Sequence, residues 1–261
     1  MFSYILNDFK RAVRSKWAKI YFFGTLGLIL LANIAVLCFR VIYGSNEGTF
    51  AYNVFEYASW CFLIPYYSCI ILAATSYGRD YIRPRKDGIR VDTGRSEKKL
   101  APWQVYVSKL IETIMLAIVF LVIAFVLLYV ATLIFHINEG IIKWPIVWLF
   151  LKKAFLSLPL WFAGISFAIM FLFLFEQRWM AYMGFATVTF IIPQLIRIFS
   201  LDSFGIEPLR MIRRYTITQS FGLVPYPSYP ERSVPLIVTI GIVYGVLAIG
   251  IGIIGYNKKA K

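Results

Sequence analysis

The chain has 261 residues, of which 60% are hydrophobic and 18% aromatic, and its formal charge is +14. Soluble domains average about 45–50% apolar residues, so this composition excludes an ordinary water-soluble enzyme and defines an integral membrane protein. A nucleic-acid-binding role is excluded too, because the Lys and Arg residues flank long apolar runs instead of gathering on a water-facing surface.

In chain order, residues 1–19 come first. Phe2, Ile5, Leu6, Phe9 and Val13 recur at steps of three and four, while Lys10, Arg11, Arg14 and Lys16 fill much of the rest of the wheel. That pattern predicts an amphipathic helix lying in the cytoplasmic membrane interface. The apolar run that follows is longer than a signal-peptide core and lacks a small-residue cleavage pattern, so it reads as a retained first span.

A span needs about 20 predominantly apolar residues, and that criterion predicts six helices near 20–42, 57–76, 108–135, 154–175, 180–199 and 234–256. The whole chain, 1–261, is one transmembrane domain of all-α class. Of its 27 Lys and Arg, seventeen fall in segments 1–19, 77–105, 176–179 and 257–261, against seven in 43–56, 136–153 and 200–233. The imbalance places both termini in the cytoplasm.

Segment 77–105 is a cytoplasmic loop dense in charge. Segment 200–233 mixes Leu209, Met211, Ile212 and Tyr215 with Arg210, Arg213 and Arg214 before a return through Pro225, Pro227 and Pro230. It reads as short interfacial or re-entrant helices capping the outer face, in contact with lipid headgroups or lining an electropositive exit. In the last span, Gly241 and Gly245 form a G-x-x-x-G pair that Ala248 and Gly252 continue, a stripe suited to close helix packing within the subunit or across a dimer.

Catalytic signatures are missing. The single histidine, His136, lies at the outer end of the third span, and no H-E-x-x-H, G-x-S-x-G or paired intramembrane aspartates occur. Cys38, Cys61 and Cys69 have no paired spacing and read as packing residues. No catalytic, cofactor or metal site is expected, and without G-x-x-x-x-G-K-[ST] any ATP hydrolysis must come from a separate subunit. Intramembrane ionisable groups are few: Lys109 and Glu112, spaced i, i+3, read as an ion pair on one helix face, and Glu176 with Arg178 marks the inner turn between spans four and five.

Taken with Asp80-Tyr81 after the second span and Tyr106-x-Ser108-Lys109-Leu110-Ile111 entering the third, this arrangement resembles the permease subunits of type-2 ATP-binding-cassette (ABC) exporters, the class that includes bacteriocin, antibiotic and peptide export or immunity systems. The resemblance covers essentially the whole chain. Many members carry Gly-Thr after the Asp-Tyr and Ser-Arg before the Tyr, where this chain has Asp87-Gly88 and a longer insertion through Asp92-Thr93-Gly94-Arg95-Ser96. The resemblance implies that residues 1–17 form an elbow helix, that 200–233 form an outer re-entrant gate, and that 79–99 act as a coupling helix. Arg79, Asp80, Tyr81, Arg83, Arg85, Lys86, Asp87 and Arg90 would then dock on a separate ABC ATP-binding subunit that holds ATP and Mg. It implies too a second permease protomer, identical or related, a plasma-membrane location and a peptide-like or amphipathic substrate. Two other classes stay open: a non-transporting membrane protein that recruits a cytosolic partner through the basic loop, and a membrane-embedded lipid- or prenyl-modifying enzyme. Asp80, Asp87 and Asp92, interrupted by Pro84 and Gly88, do not have the spacing of a metal-binding aspartate motif.

Overall fold

A computed structural model describes residues 2–43, 66–77, 89–92, 97–135, 144–175, 177–201, 204, 206–223 and 233–260. Helix α1, Phe2–Arg14, gives way at Ser15 to α2, Lys16–Tyr43. The break has a local cause: the Ser15 hydroxyl accepts the Ala18 N–H at 3.1 Å, satisfying a donor that the first turn of α2 leaves unpaired. The amphipathic helix is therefore shorter than 1–19, and residues 16–19 belong to the first span. Its buried stripe also differs from the expected one. Tyr4, Ile5, Asp8 and Ala12 face inward, while Val13 is exposed.

Of the expected span 57–76, residues 57–65 lie outside the described residues; its end is helical at Tyr66 and Tyr67, with a turn at Ser68 leading into α3, Cys69–Ser76. The charged segment contributes a two-stranded antiparallel ribbon, β1 (Ile89–Asp92) with β2 (Glu97–Leu100), in the register Ile89↔Leu100 and Asp92↔Glu97. So the segment 79–99, for which the resemblance implies a coupling helix, is extended where it is described within those two strands.

Helix α4, Pro102–Phe135, starts six residues before the expected span. Proline at the first helical position costs no hydrogen bond, and the Gln104 side chain reaches back to accept the Ala101 N–H at 3.0 Å. At about 1.5 Å per residue the 34 residues reach roughly 51 Å, well beyond about 30 Å of hydrocarbon. The first turns of α4 thus continue the polar loop as rigid helix.

Helix α5, Trp144–Leu174, carries Pro159 and lies at the centre of the core, with Trp161, Ala163, Ile169 and Phe173 buried. Helices α6 (Arg178–Ala186) and α7 (Ile192–Phe199) are joined by a π-helical turn, Thr187–Ile191. Pro193 has no N–H to bond four residues back, and its ring would crowd the carbonyl there, so a widened turn is the physical response. Two short helices follow, α8 (Glu207–Arg213) and α9 (Ile217–Leu223). Thr216 caps α9 by accepting the Gln219 N–H at 3.3 Å. The long α10, Ser233–Ala260, packs along α5.

Among the described residues, five helical stretches are long and apolar enough to cross a membrane: Lys16–Phe39, Pro102–Phe135, Ala154–Leu174, Arg178–Phe199 and Val234–Lys259. Large apolar side chains such as Phe23, Leu31, Val122, Val126, Phe155, Val246 and Ile254 point outward from them. A contiguous apolar exterior of this kind is matched to lipid, not water. Asn33 and Thr132 tie α2 to α4 inside the bundle, the Thr132 hydroxyl donating to Asn33 Oδ1 at 3.2 Å.

Candidate functional site

At one end of the bundle, four aromatic rings meet. Phe173, near the end of α5, is packed by Tyr77 at 4.8 Å between centroids, by Tyr106 at 5.0 Å and by Tyr256 at 4.6 Å. All four rings are buried; Tyr77 and Tyr256 meet Phe173 edge to face and Tyr106 meets it at a tilt, and aromatic pairs add roughly 0.5–1.5 kcal/mol each beyond area burial. Tyr77 is the last residue described before the charged loop, and Tyr106 is in the second turn of the helix that follows it. Both ends of the loop are therefore fastened to one ring. Arg178, at the start of α6, adds a further tie by donating to the Tyr77 carbonyl at 3.2 Å. Lys259 donates to the Leu174 carbonyl, bringing the end of α10 to the same place.

One turn along α4 from Tyr106 is a buried charge cluster. Lys109 and Glu112 pair as the i, i+3 spacing predicts, at 3.1 Å, but the pair has a third member. Asp8 of α1 accepts a hydrogen bond from Lys109 Nζ and is also bridged by Arg11 at 3.0 Å. The ammonium sits 5.4 Å from the Tyr4 ring centroid, within cation–π range. Lys109 is 0% exposed, so it is neutralised wholly by protein groups. Glu112 Oε1 has no hydrogen-bond partner among the described residues. The Thr113 hydroxyl, beside the cluster, approaches Ser76 of α3 at 3.3 Å.

The glycine stripe packs within the chain. A Cβ at Gly241 would fall 2.5 Å from the Pro159 carbonyl carbon and oxygen, one at Gly245 would overlap the Phe162 ring, and one at Gly252 would overlap the Tyr106 ring. Gly252 thus gives Tyr106 the room to reach Phe173.

The expected docking residues Arg79, Asp80, Tyr81, Arg83, Arg85, Lys86 and Asp87 lie outside the described residues, as do Cys61, His136 and Glu176; Arg90 is on β1. Cys69 is buried and Cys38 exposed, both as free thiols. Among the described residues, no three His, Cys, Asp or Glu side chains are grouped to hold a metal. Sequence reasoning missed Asp8, although it is the single acid among residues 1–19 and falls on the side of the helix that holds Tyr4, Ile5 and Ala12. It missed Phe173, Tyr77 and Tyr256 as well, since nothing separates these aromatics from the many that pack or face lipid.

The fold and this end of the bundle define a membrane-embedded, multi-pass helical protein with a charged loop clamped to its core. No protein-family profile matches the chain, and no curated protein matches it.

Proposed function

We propose that this chain is the permease subunit of an ATP-driven ABC exporter of type 2. It crosses the plasma membrane six times with both termini in the cytoplasm, pairs with a second permease protomer, and moves a peptide-like or amphipathic substrate. The observation that carries the reading is the convergence of Tyr77 and Tyr106 on Phe173. A partner pushing on the loop between them would load α4, α5, α6 and α10 together, because each element has a buried or hydrogen-bonded contact at that point. The Asp8 to Lys109 pair passes the same load to α1. Such a clamp suits a loop that transmits motion from a separate ATPase, with charge complementarity selecting the partner.

The test is co-purification of the tagged chain from its native membrane, alone and with Arg83, Arg85, Lys86 and Arg90 all reversed to Glu. A P-loop ATPase is expected with the native chain and should be lost from the variant, while both insert equally. An inserted native chain that brings down a cytosolic protein without a P-loop would replace the exporter reading with the recruitment reading. Recovery of no partner at all would remove the observation's functional meaning.

A further inference from the structure

Most of the apolar face of α1 is covered by protein. Tyr4, Ile5, Asp8 and Ala12 are buried and Phe9 packs against the same core, with α4 as the main neighbour of the helix, so the stripe that an interfacial helix lays into lipid is largely occupied. Asp8, the single acid among residues 1–20, is turned inward on that face and engaged by Lys109 and Arg11. What α1 presents outward is basic.

The cations of residues 1–20 are Lys10, Arg11, Arg14, Lys16 and Lys19, and each is exposed. On α1, Lys10, Val13 and Arg14 share the outer face at the spacing i, i+3, i+4. Beyond Ser15, the exposed side chains in the first two turns of α2 are Lys16, Trp17, Lys19, Ile20 and Phe23, while Ala18 and Tyr21 face the bundle. Trp17 is 62% exposed at the very start of the Lys16–Phe39 span, the depth at which indole rings collect beside lipid headgroups. Lys and Arg stems at that depth lie along apolar surface and place their charge among the headgroups. The mixture decides the occupant. A soluble acidic partner would leave Trp17, Ile20 and Phe23, which are continuous with the lipid-facing side of α2, in water; a zwitterionic lipid would leave the cations without net countercharge.

We infer that the corner between α1 and α2 is a binding surface for anionic phospholipids: Lys10, Arg14, Lys16 and Lys19 hold the negative headgroups, and Val13, Trp17 and Ile20 sit among the upper acyl carbons. Arg11 is already bridged to Asp8 and is not counted. Selection is by charge, because an apolar face alone would accept any phospholipid. The surface needs no ATPase partner, so it stands or falls separately from the exporter reading.

The test uses the full chain in nanodiscs doped with brominated phosphatidylglycerol or, separately, brominated phosphatidylcholine at equal mole fraction. Quenching of Trp17 is taken as the difference between each protein and the same protein carrying Trp17→Phe. Brominated phosphatidylglycerol should quench Trp17 at least roughly twofold more than brominated phosphatidylcholine, a preference that high salt weakens. The Lys10→Gln/Arg14→Gln/Lys16→Gln/Lys19→Gln variant, altered only at exposed helical positions, should quench equally with both lipids. A Lys98→Gln/Lys99→Gln variant, altered on β2, should keep the preference. The proposal is overturned if the native chain shows no preference, if the fourfold variant retains it, or if the β2 variant loses it. It is overturned equally if neither lipid quenches Trp17, which would turn this face to the cytosol and to a soluble acidic partner.

Discussion

Lys109→Met is expected to destabilise the protein by roughly 3–5 kcal/mol, the cost typical of removing one partner from a buried ion pair. The ammonium is fully buried and lies between two carboxylates, Asp8 at 7% and Glu112 at 1% exposure. Its loss leaves Asp8 with Arg11 alone and Glu112 with no countercharge in contact. Asp8→Asn should cost less, because Lys109 then keeps Glu112. The decisive comparison is Asp8→Asn/Lys109→Met/Glu112→Gln, which removes every charge the cluster buries in α1 and α4 except the half-solvated Arg11. It should recover most of the loss, since a neutral cluster of similar volume carries no unpaired buried ion. Unfolding by detergent titration or heat, followed on the same micelles for all three variants, separates the cases. A Lys109→Met protein as stable as the native one would mean that the charges are solvated, and the cluster would lose its role in holding α1.

How much of this could be read from residue order depends on what each signal encodes. Apolar runs report burial in lipid directly, so the helices Lys16–Tyr43, Pro102–Phe135 and Ser233–Ala260 were legible to within a few residues at most ends. Their ends slipped where a cap decided the boundary. Ser15 moves the first break to residue 15, and Pro102 with Gln104 starts α4 six residues early. Periodicity gives the angular position of a side chain but not its neighbour. Lys109 and Glu112 were legible as a local pair, whereas Asp8 lies 101 residues from Lys109 and is joined to it only by the packing of α1 on α4. An acid placed among Tyr4, Ile5 and Ala12 did signal a buried partner, and reading the helix from Phe2, Leu6 and Val13 hid it.

The aromatic clamp was illegible for a different reason. Phe173 is one of 23 phenylalanines, and its role comes from which two loop ends reach it. The arginines of α8 were legible as a cluster, but Ser200 and Gln219, which fix Arg213, join it only through the fold of α9 over the end of the span.

Gly241→Ala is the second substitution with a large expected effect, and it tests where the small-residue stripe packs. The stripe alone leaves two partners open, another helix of the same chain or a second copy. In the fold, an added Cβ at Gly241 would stand 2.5 Å from the carbonyl carbon and oxygen of Pro159. Those atoms are backbone, and a proline ring restricts their adjustment, so α10 itself must shift from α5. A cost of roughly 2–3 kcal/mol is expected for such overpacking. Gly250 is on the same helix with nothing within 4 Å of its added Cβ, so Gly250→Ala should be neutral or stabilising by up to about 1 kcal/mol through helix propensity. Thermal unfolding of both variants, each also checked for oligomeric state, distinguishes the two packings. Loss of stability with oligomeric state unchanged places the contact between α10 and α5 of one chain. If Gly241→Ala instead dissociated an oligomer with each chain's own stability preserved, the stripe would belong to a contact between copies. Tyr106 could then no longer be argued to reach Phe173 through the room that Gly252 leaves, because that reach requires α10 to lie against α4 and α5 in the same chain.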